Sequence, residues 1–197
     1  MLSLPALMLP DRPGLRVLVM GVGGGSILRQ LNVLLQSPVI TGIDIDPVHL
    51  QVAREWFGVT EEHATLVEAD AIAWLRCYRG ERFDLIIDDL FGEEEGEPVR
   101  AIELDKAWSH DLLRPLANEG MVIVNSLERK ALRAAGFMGD RRVNRRYRCQ
   151  LDEYQNCVGV FLTGTADNRS WRQRVLEHVA LNPAQKRLAL ALKFMRL

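Results

Sequence analysis

Apolar positions along this chain switch between two periods, and the switching lays out a series of strands and helices. Residues 15–26, LRVLVMGVGGGS, begin it: a near-continuous apolar run, as in a buried parallel strand, enters a glycine cluster that lets the backbone turn sharply. Ile27, Leu28, Leu31, Leu34 and Leu35 then recur at helical spacing until Ser37-Pro38. Residues 39–43 read as a second strand closing on Asp44. Asp46-Pro47 opens the next helix, with Asp46 as N-cap and Pro47 in the first turn. A short third strand is expected over 64–68, and Asp70 starts a helix over 71–77. Residues 82–88 form a fourth strand, apolar in its middle and acidic at its end. A loop over 90–98, a helix over about 101–113, a turn over 115–120 and a fifth buried strand over 121–125 follow. Strands alternating with helices imply βαβ units with right-handed crossovers and a parallel sheet. The last third differs. Residues 143–151 and 157–162, separated by the polar Asp-Glu-Tyr-Gln-Asn turn, pattern as an antiparallel hairpin, and helices over 170–180 and 184–195 finish the chain.

Composition narrows the class. The 197 residues are 48% hydrophobic and 26% charged, enough for one sizeable core, and residues 1–197 read as a single domain without repeats. A net charge of -1 argues against a nucleic-acid-coating protein. Cys77, Cys149 and Cys157 form no CxxC pair and read as buried free thiols in a reducing compartment. The leucine-rich start carries Pro5, Pro10 and Pro13 and no basic region, unlike a signal peptide. No apolar run reaches the roughly 18–20 residues that span a bilayer, so a cytoplasmic protein without a membrane partner is expected.

The glycine turn, Gly21-Val22-Gly23-Gly24-Gly25-Ser26, fits G-x-G-x-G but lacks the third glycine of G-x-G-x-x-G, which counts against a nicotinamide or flavin enzyme. Asp44 follows at about the 20-residue distance at which an acid accepts from ribose hydroxyls. Helix capping is the structural alternative, but Asp46 already suits that role. Ile45 would form an apolar wall beside an adenine ring. Asp70 is placed to accept from its amino group, to cap the next helix, or both.

VLVMGVGGGS, GIDIDP, EADAIAWL, FDLIIDDLF and LLRPLANEGMVIVN are similar, in order and spacing, to the class I S-adenosylmethionine-dependent methyltransferases, and more narrowly to their spermidine-synthase-like branch. The resemblance covers about residues 15–126. It implies a Rossmann-like, doubly wound, seven-stranded α/β sheet, mostly parallel with a reversed last strand, in three αβα layers. It also implies that Gly21, Gly23 and Gly25 pack on the cofactor, Asp44 holds the ribose, and Asp70 with Ala71 the adenine. Two departures stand out. Aminopropyltransferases of that branch carry an acid where this chain has Gly24, and a second acid after strand four where it has Gly92. On the resemblance, these acids place the aminopropyl chain and the cationic acceptor amine. The small N-terminal β-domain of those enzymes is also missing from the sequence.

Methyl transfer from S-adenosylmethionine is therefore the leading expectation. Asp89, at the end of strand four, is the first candidate to orient an acceptor or the methionine amino group. Adjacent residues of extended backbone point to opposite faces, so only one of Asp88 and Asp89 should face the site. Asn125 and Ser126 end the fifth strand near the same crevice. The acid run over 93–97 is either a solvated loop or a field focused on a cationic small-molecule or protein acceptor. The basic run over 141–148 reads as the wet face of an edge strand, with nucleic-acid binding as the rarer alternative. The four histidines show no metal spacing, and Trp56, Trp74 and Trp108 read as core. Aminopropyl transfer from decarboxylated S-adenosylmethionine, a non-catalytic nucleotide-binding regulatory module and a homodimer through the apolar termini stay open.

Overall fold

The computed structural model describes residues 1–151 and 156–197; most of the polar turn expected before residue 157 lies outside them. A 3-10 turn over Leu4–Met8 leads into β1 (Arg16–Met20), α1 (Ser26–Leu34), β2 (Val39–Asp44), α2 (Pro47–Glu55), β3 (Thr65–Glu68), α3 (Ala71–Cys77) and β4 (Phe83–Asp88). Next come a hairpin of β5 (Phe91–Glu94) and β6 (Glu97–Arg100), then α4 (Lys106–Leu113), β7 (Leu116–Ser126) and α5 (Arg129–Ala134). The chain continues through β8 (Arg145–Gln150), β9 (Cys157–Leu162), α6 (Asn168–Glu177), α7 (Pro183–Leu190) and β10 (Lys193–Arg196).

The main sheet has eight strands in the order β10-β8-β9-β7-β4-β1-β2-β3. β3, β2, β1, β4 and β7 run parallel, and β9 runs against β7 and β8. Alternation along the central strands makes three layers. Val17, Val19, Leu85, Ile87, Met121 and Ile123 pack on one side with Leu28, Leu31 and Trp171. Leu18, Met20, Ile86, Val122 and Val124 pack on the other with Leu75, Trp108 and Leu112. Both faces of each strand are covered, which is why these strands read as unbroken apolar runs.

Several expectations are corrected. The eighth strand is β10, which overlaps the end of the helix expected over 184–195. That helix stops at Leu190, and Lys193–Arg196 pairs antiparallel with β8. Phe194 is the cause: its ring sits 5.9 Å from Tyr147 and 4.7 Å from Trp171, a packing that outweighs a short helical pattern. β10 also covers β8, so the basic run does not lie on an edge strand, and Arg148 is buried. The loop expected over 90–98 is a hairpin, closed by Glu95 and Gly96 at φ 53° and 84°, the two positive values of a type I′ turn. The following helix starts at Lys106, where the Asp105 side chain accepts from Trp108 N. Cys77 is exposed, and Trp56 is 80% exposed because it follows α2 on its solvent side. Among the described residues no helix is long and apolar enough to cross a membrane.

Candidate functional site

The carboxyl ends of β1, β2 and β4 meet at the point where strand order reverses on either side of β1, the place where open α/β sheets leave a crevice. Gly21 N donates to Ile43 O and Asp89 N to Met20 O, both at 2.9 Å, so the three strand ends are tied together. The loop glycines divide their work. Gly21 has φ 86°, and a Cβ there would lie 2.3 Å from Asp89 O; close approach of β1 to the end of β4 demands glycine. At Gly25 a Cβ would lie 2.7 Å from Val59 Cγ2, so this residue serves packing against the segment after α2. At Gly23 a Cβ would meet nothing within 4 Å; its bareness leaves open space. At Gly24 a Cβ would lie 3.0 Å from Cε2 of Phe57.

Asp44 ends β2 almost buried, and its carboxylate anchors the loop. Oδ2 accepts from Val22 N and Gly23 N at 2.9 Å, while Oδ1 accepts from Asp46 N at 3.0 Å and faces His49 Nδ1 at 3.3 Å. A carboxylate has about four acceptor positions. All are engaged here, and the long contact to the half-exposed His49 is the one most readily exchanged for another donor. Ile45, beside it, is 71% exposed. Asp70 caps α3 through Oδ1, which accepts from Ile72 N at 2.8 Å and Ala73 N at 3.3 Å. Among the described residues its other oxygen carries no protein partner. The Ala71 side chain is buried in the core, which leaves only its backbone to a ligand.

The two acids closing β4 separate as their alternation requires. Asp88 is fully buried; its Oδ2 accepts from Arg100 Nη2 and from Trp108 Nε1, both at 2.8 Å. Arg100 reaches in from β6 and also donates to the carbonyls of Ile102 and Asn125. Its guanidinium lies over the Phe91 ring, 5.7 Å from the centroid. The acidic hairpin is thus fastened to the strand-four acid by one buried ion pair. Asp89 is half-buried on the other side, and its Oδ1 accepts from Asn125 Nδ2 at 2.8 Å; Asn125 Oδ1 in turn accepts from Asn156 at 2.9 Å. Burial pushes the Asp89 carboxyl above its ordinary range, an effect the Asn125 hydrogen bond opposes, the Asp88 charge reinforces and Arg100 opposes. Ser126 is buried and bonds locally to Glu128.

The crevice therefore assembles Gly21, Gly23, Asp44, Ile45 and Asp89, with Asp70 on the neighbouring strand end. Asp88 turns inward. Sequence reasoning missed Arg100, Phe57, Asn156 and the engagement of His49 with Asp44. Arg100 carried one faint signal: it is the first cation after a run of acids that begins at paired aspartates. Trp108 is core, as expected, but its indole N–H is committed to Asp88.

No family model matches the sequence. A polyamine aminopropyltransferase of Chromobacterium violaceum is 28% identical over 111 residues, covering 55% of this chain and 41% of that protein. The eEF1A lysine and N-terminal methyltransferase of Mus musculus is 27% identical over 121 residues, covering 56% of this chain and 17% of that protein. The chain thus spans less than half the length of these curated relatives. Among solved structures, human methyltransferase-like protein 13 in complex with SAH superposes with a TM-score of 0.72 at 18% identity, covering 92% of this chain and 91% of that one. Spermidine synthase from Thermotoga maritima gives 0.68 at 15% identity, covering 94% and 67%. With its parallel core, reversed strand β9 and glycine turn after β1, the chain carries the class I S-adenosylmethionine-dependent methyltransferase fold in the form that spermidine synthases share.

Proposed function

We propose that residues 1–197 act as one cytoplasmic S-adenosylmethionine-binding domain that transfers a methyl group to a small-molecule or protein acceptor. The residues present fit that cofactor. The bare Gly23 opens a floor, Ile45 offers an exposed apolar wall, and the free Asp70 oxygen can accept from an adenine amino group. Asp44 fits the ribose only by exchanging His49 for a hydroxyl; its larger task is to hold the loop at Val22 and Gly23. When bound, the cofactor supplies a sulfonium methyl already activated for in-line displacement, so the protein's share is alignment. Asp89 supplies a partly desolvated carboxylate, held by Asn125, that orients an amine of the acceptor or of the methionine moiety.

One observation carries methyl transfer over aminopropyl transfer. Gly24 stands where aminopropyltransferases of the resembling branch carry an acid, and the Phe57 ring fills the space its Cβ would enter. The 28% identity to a polyamine aminopropyltransferase favours the second reading, and the two are separable by calorimetry. Tighter binding of S-adenosylmethionine than of its decarboxylated form, with methyl label passing to an acceptor fraction of a cell extract, is expected. The opposite preference reassigns the protein to aminopropyl transfer. Cofactor binding without transfer to any fraction leaves a regulatory module.

A further inference from the structure

A further concavity lies at the opposite rim of the sheet. A cavity of about 600 Å³ opens there, where β4 and β7 begin and β9 ends, and its lining includes Arg82, His110, Arg114, Arg141 and Arg142. Among the described residues no carboxylate lines it, in a chain whose net charge is -1. Two of the four guanidinium groups are structural. Arg114 donates to the carbonyls of Tyr78 and Leu75, and Arg142 pairs with Asp140 outside the lining at 2.7 Å. The other two are available. Arg82 spends one nitrogen on Leu116 O, and Arg141 is exposed and carries no hydrogen bond or ion pair among the described residues. Thr163 and Asn144 close one wall, held to each other and to β7 by their own hydrogen bonds.

We propose that this cavity binds a small phosphorylated anion bearing a di- or triphosphate group. Its volume falls within the range of small-molecule sites. The cations come from three elements: the segment before β4, the end of α4 and the turn before β8. A planar carboxylate is matched by a single guanidinium fork. Tetrahedral phosphates present oxygens in several directions and suit forks that converge from several walls. This site is separate from the crevice, because it lies at the amino ends of the strands whose carboxyl ends build the crevice.

The test is calorimetry or NMR titration of the full chain with tripolyphosphate, and in parallel with citrate and a short single-stranded oligonucleotide. Saturable tripolyphosphate binding that weakens with salt is expected. Arg82→Ser and Arg141→Ser should each weaken it about tenfold, as loss of a charged hydrogen-bond donor does. Both residues are exposed, and unchanged circular dichroism checks the fold. An equal loss on Arg187→Ser, which lies on α7, would mean diffuse attraction and overturn the site. Absence of saturation also overturns it. Citrate binding as tightly as tripolyphosphate removes the phosphate assignment, and a tighter fit for the oligonucleotide moves the surface to nucleic-acid binding.

Discussion

At Asp89 the burial that raises the carboxyl also decides what replacing it will do. The folded protein holds this proton to a higher pH than the unfolded chain. Between the ordinary carboxylate range and the raised value, folding takes up a proton, so stability rises as pH falls through that window and is lost as pH rises. Asp89→Asn keeps an oxygen for Asn125 and removes the desolvated charge. We expect thermal stability at neutral pH equal to or above that of the parent, a flatter dependence on pH in the window, and at least tenfold slower transfer. A variant with unchanged turnover would remove Asp89 from the site. Asp70 calls for a different substitution because Oδ1 caps α3 while the proposed adenine contact falls to the other oxygen. Serine caps helices about as well as aspartate, so Asp70→Ser should keep stability within a few tenths of a kcal/mol. It lacks the free oxygen, and cofactor affinity should fall about tenfold, or about 1.4 kcal/mol. Equal affinity by titration would leave Asp70 as a cap alone.

Among the elements, β1, β2 and β4 were legible in the sequence because each is a largely buried apolar run ending at glycine or an acid, and the short edge strand β3 because Glu68 and the Asp70 cap close it. Asp46-Pro47 likewise announced α2 through a cap that the structure shows, with Asp46 accepting from Val48 N at 2.8 Å. The hairpin of β5 and β6 was hidden for a local reason: its turn is Glu-Gly, and the surrounding glutamates read as solvated loop. β10 was hidden for a distant one, since Phe194 acquires its partners only when β8 and α6 are in place. The Asp88–Arg100–Trp108 cluster needs both the hairpin and α4, and no spacing rule encodes that. The glycine turn gives a contrast to measure. Gly21→Ala combines a positive φ with contact against Asp89 O, and should cost about 3 kcal/mol or more in urea unfolding. Gly23→Ala meets no atom, so only its φ of 51° opposes it, at about 1–2 kcal/mol. Its methyl enters the open floor, and it should lose cofactor affinity out of proportion to stability. Equal stability losses in the two variants would contradict this division of labour.

At the scale of the molecule, one parallel core presents its carboxyl ends to the crevice and its amino ends to the arginine-lined cavity. The rigid strands between them hold each rim without requiring the two to communicate. Ligand binding to the folded state alone adds about 2.7 kcal/mol when the ligand is at 100 times its Kd. A domain of this size gains about 2–4 °C in melting midpoint per kcal/mol, so S-adenosylhomocysteine at that excess should raise the midpoint by about 5–11 °C. The crevice depends on a loop that Asp44 pins by two backbone N–H groups and on none of the arginines at the far rim. The shift should therefore persist undiminished in Arg141→Ser and collapse in Asp44→Ala, whose loop has lost its anchor. Differential scanning fluorimetry of the three proteins with and without the ligand reads this directly. A shift that also shrinks in Arg141→Ser would show the two rims to be coupled and the sheet to be something other than a passive support.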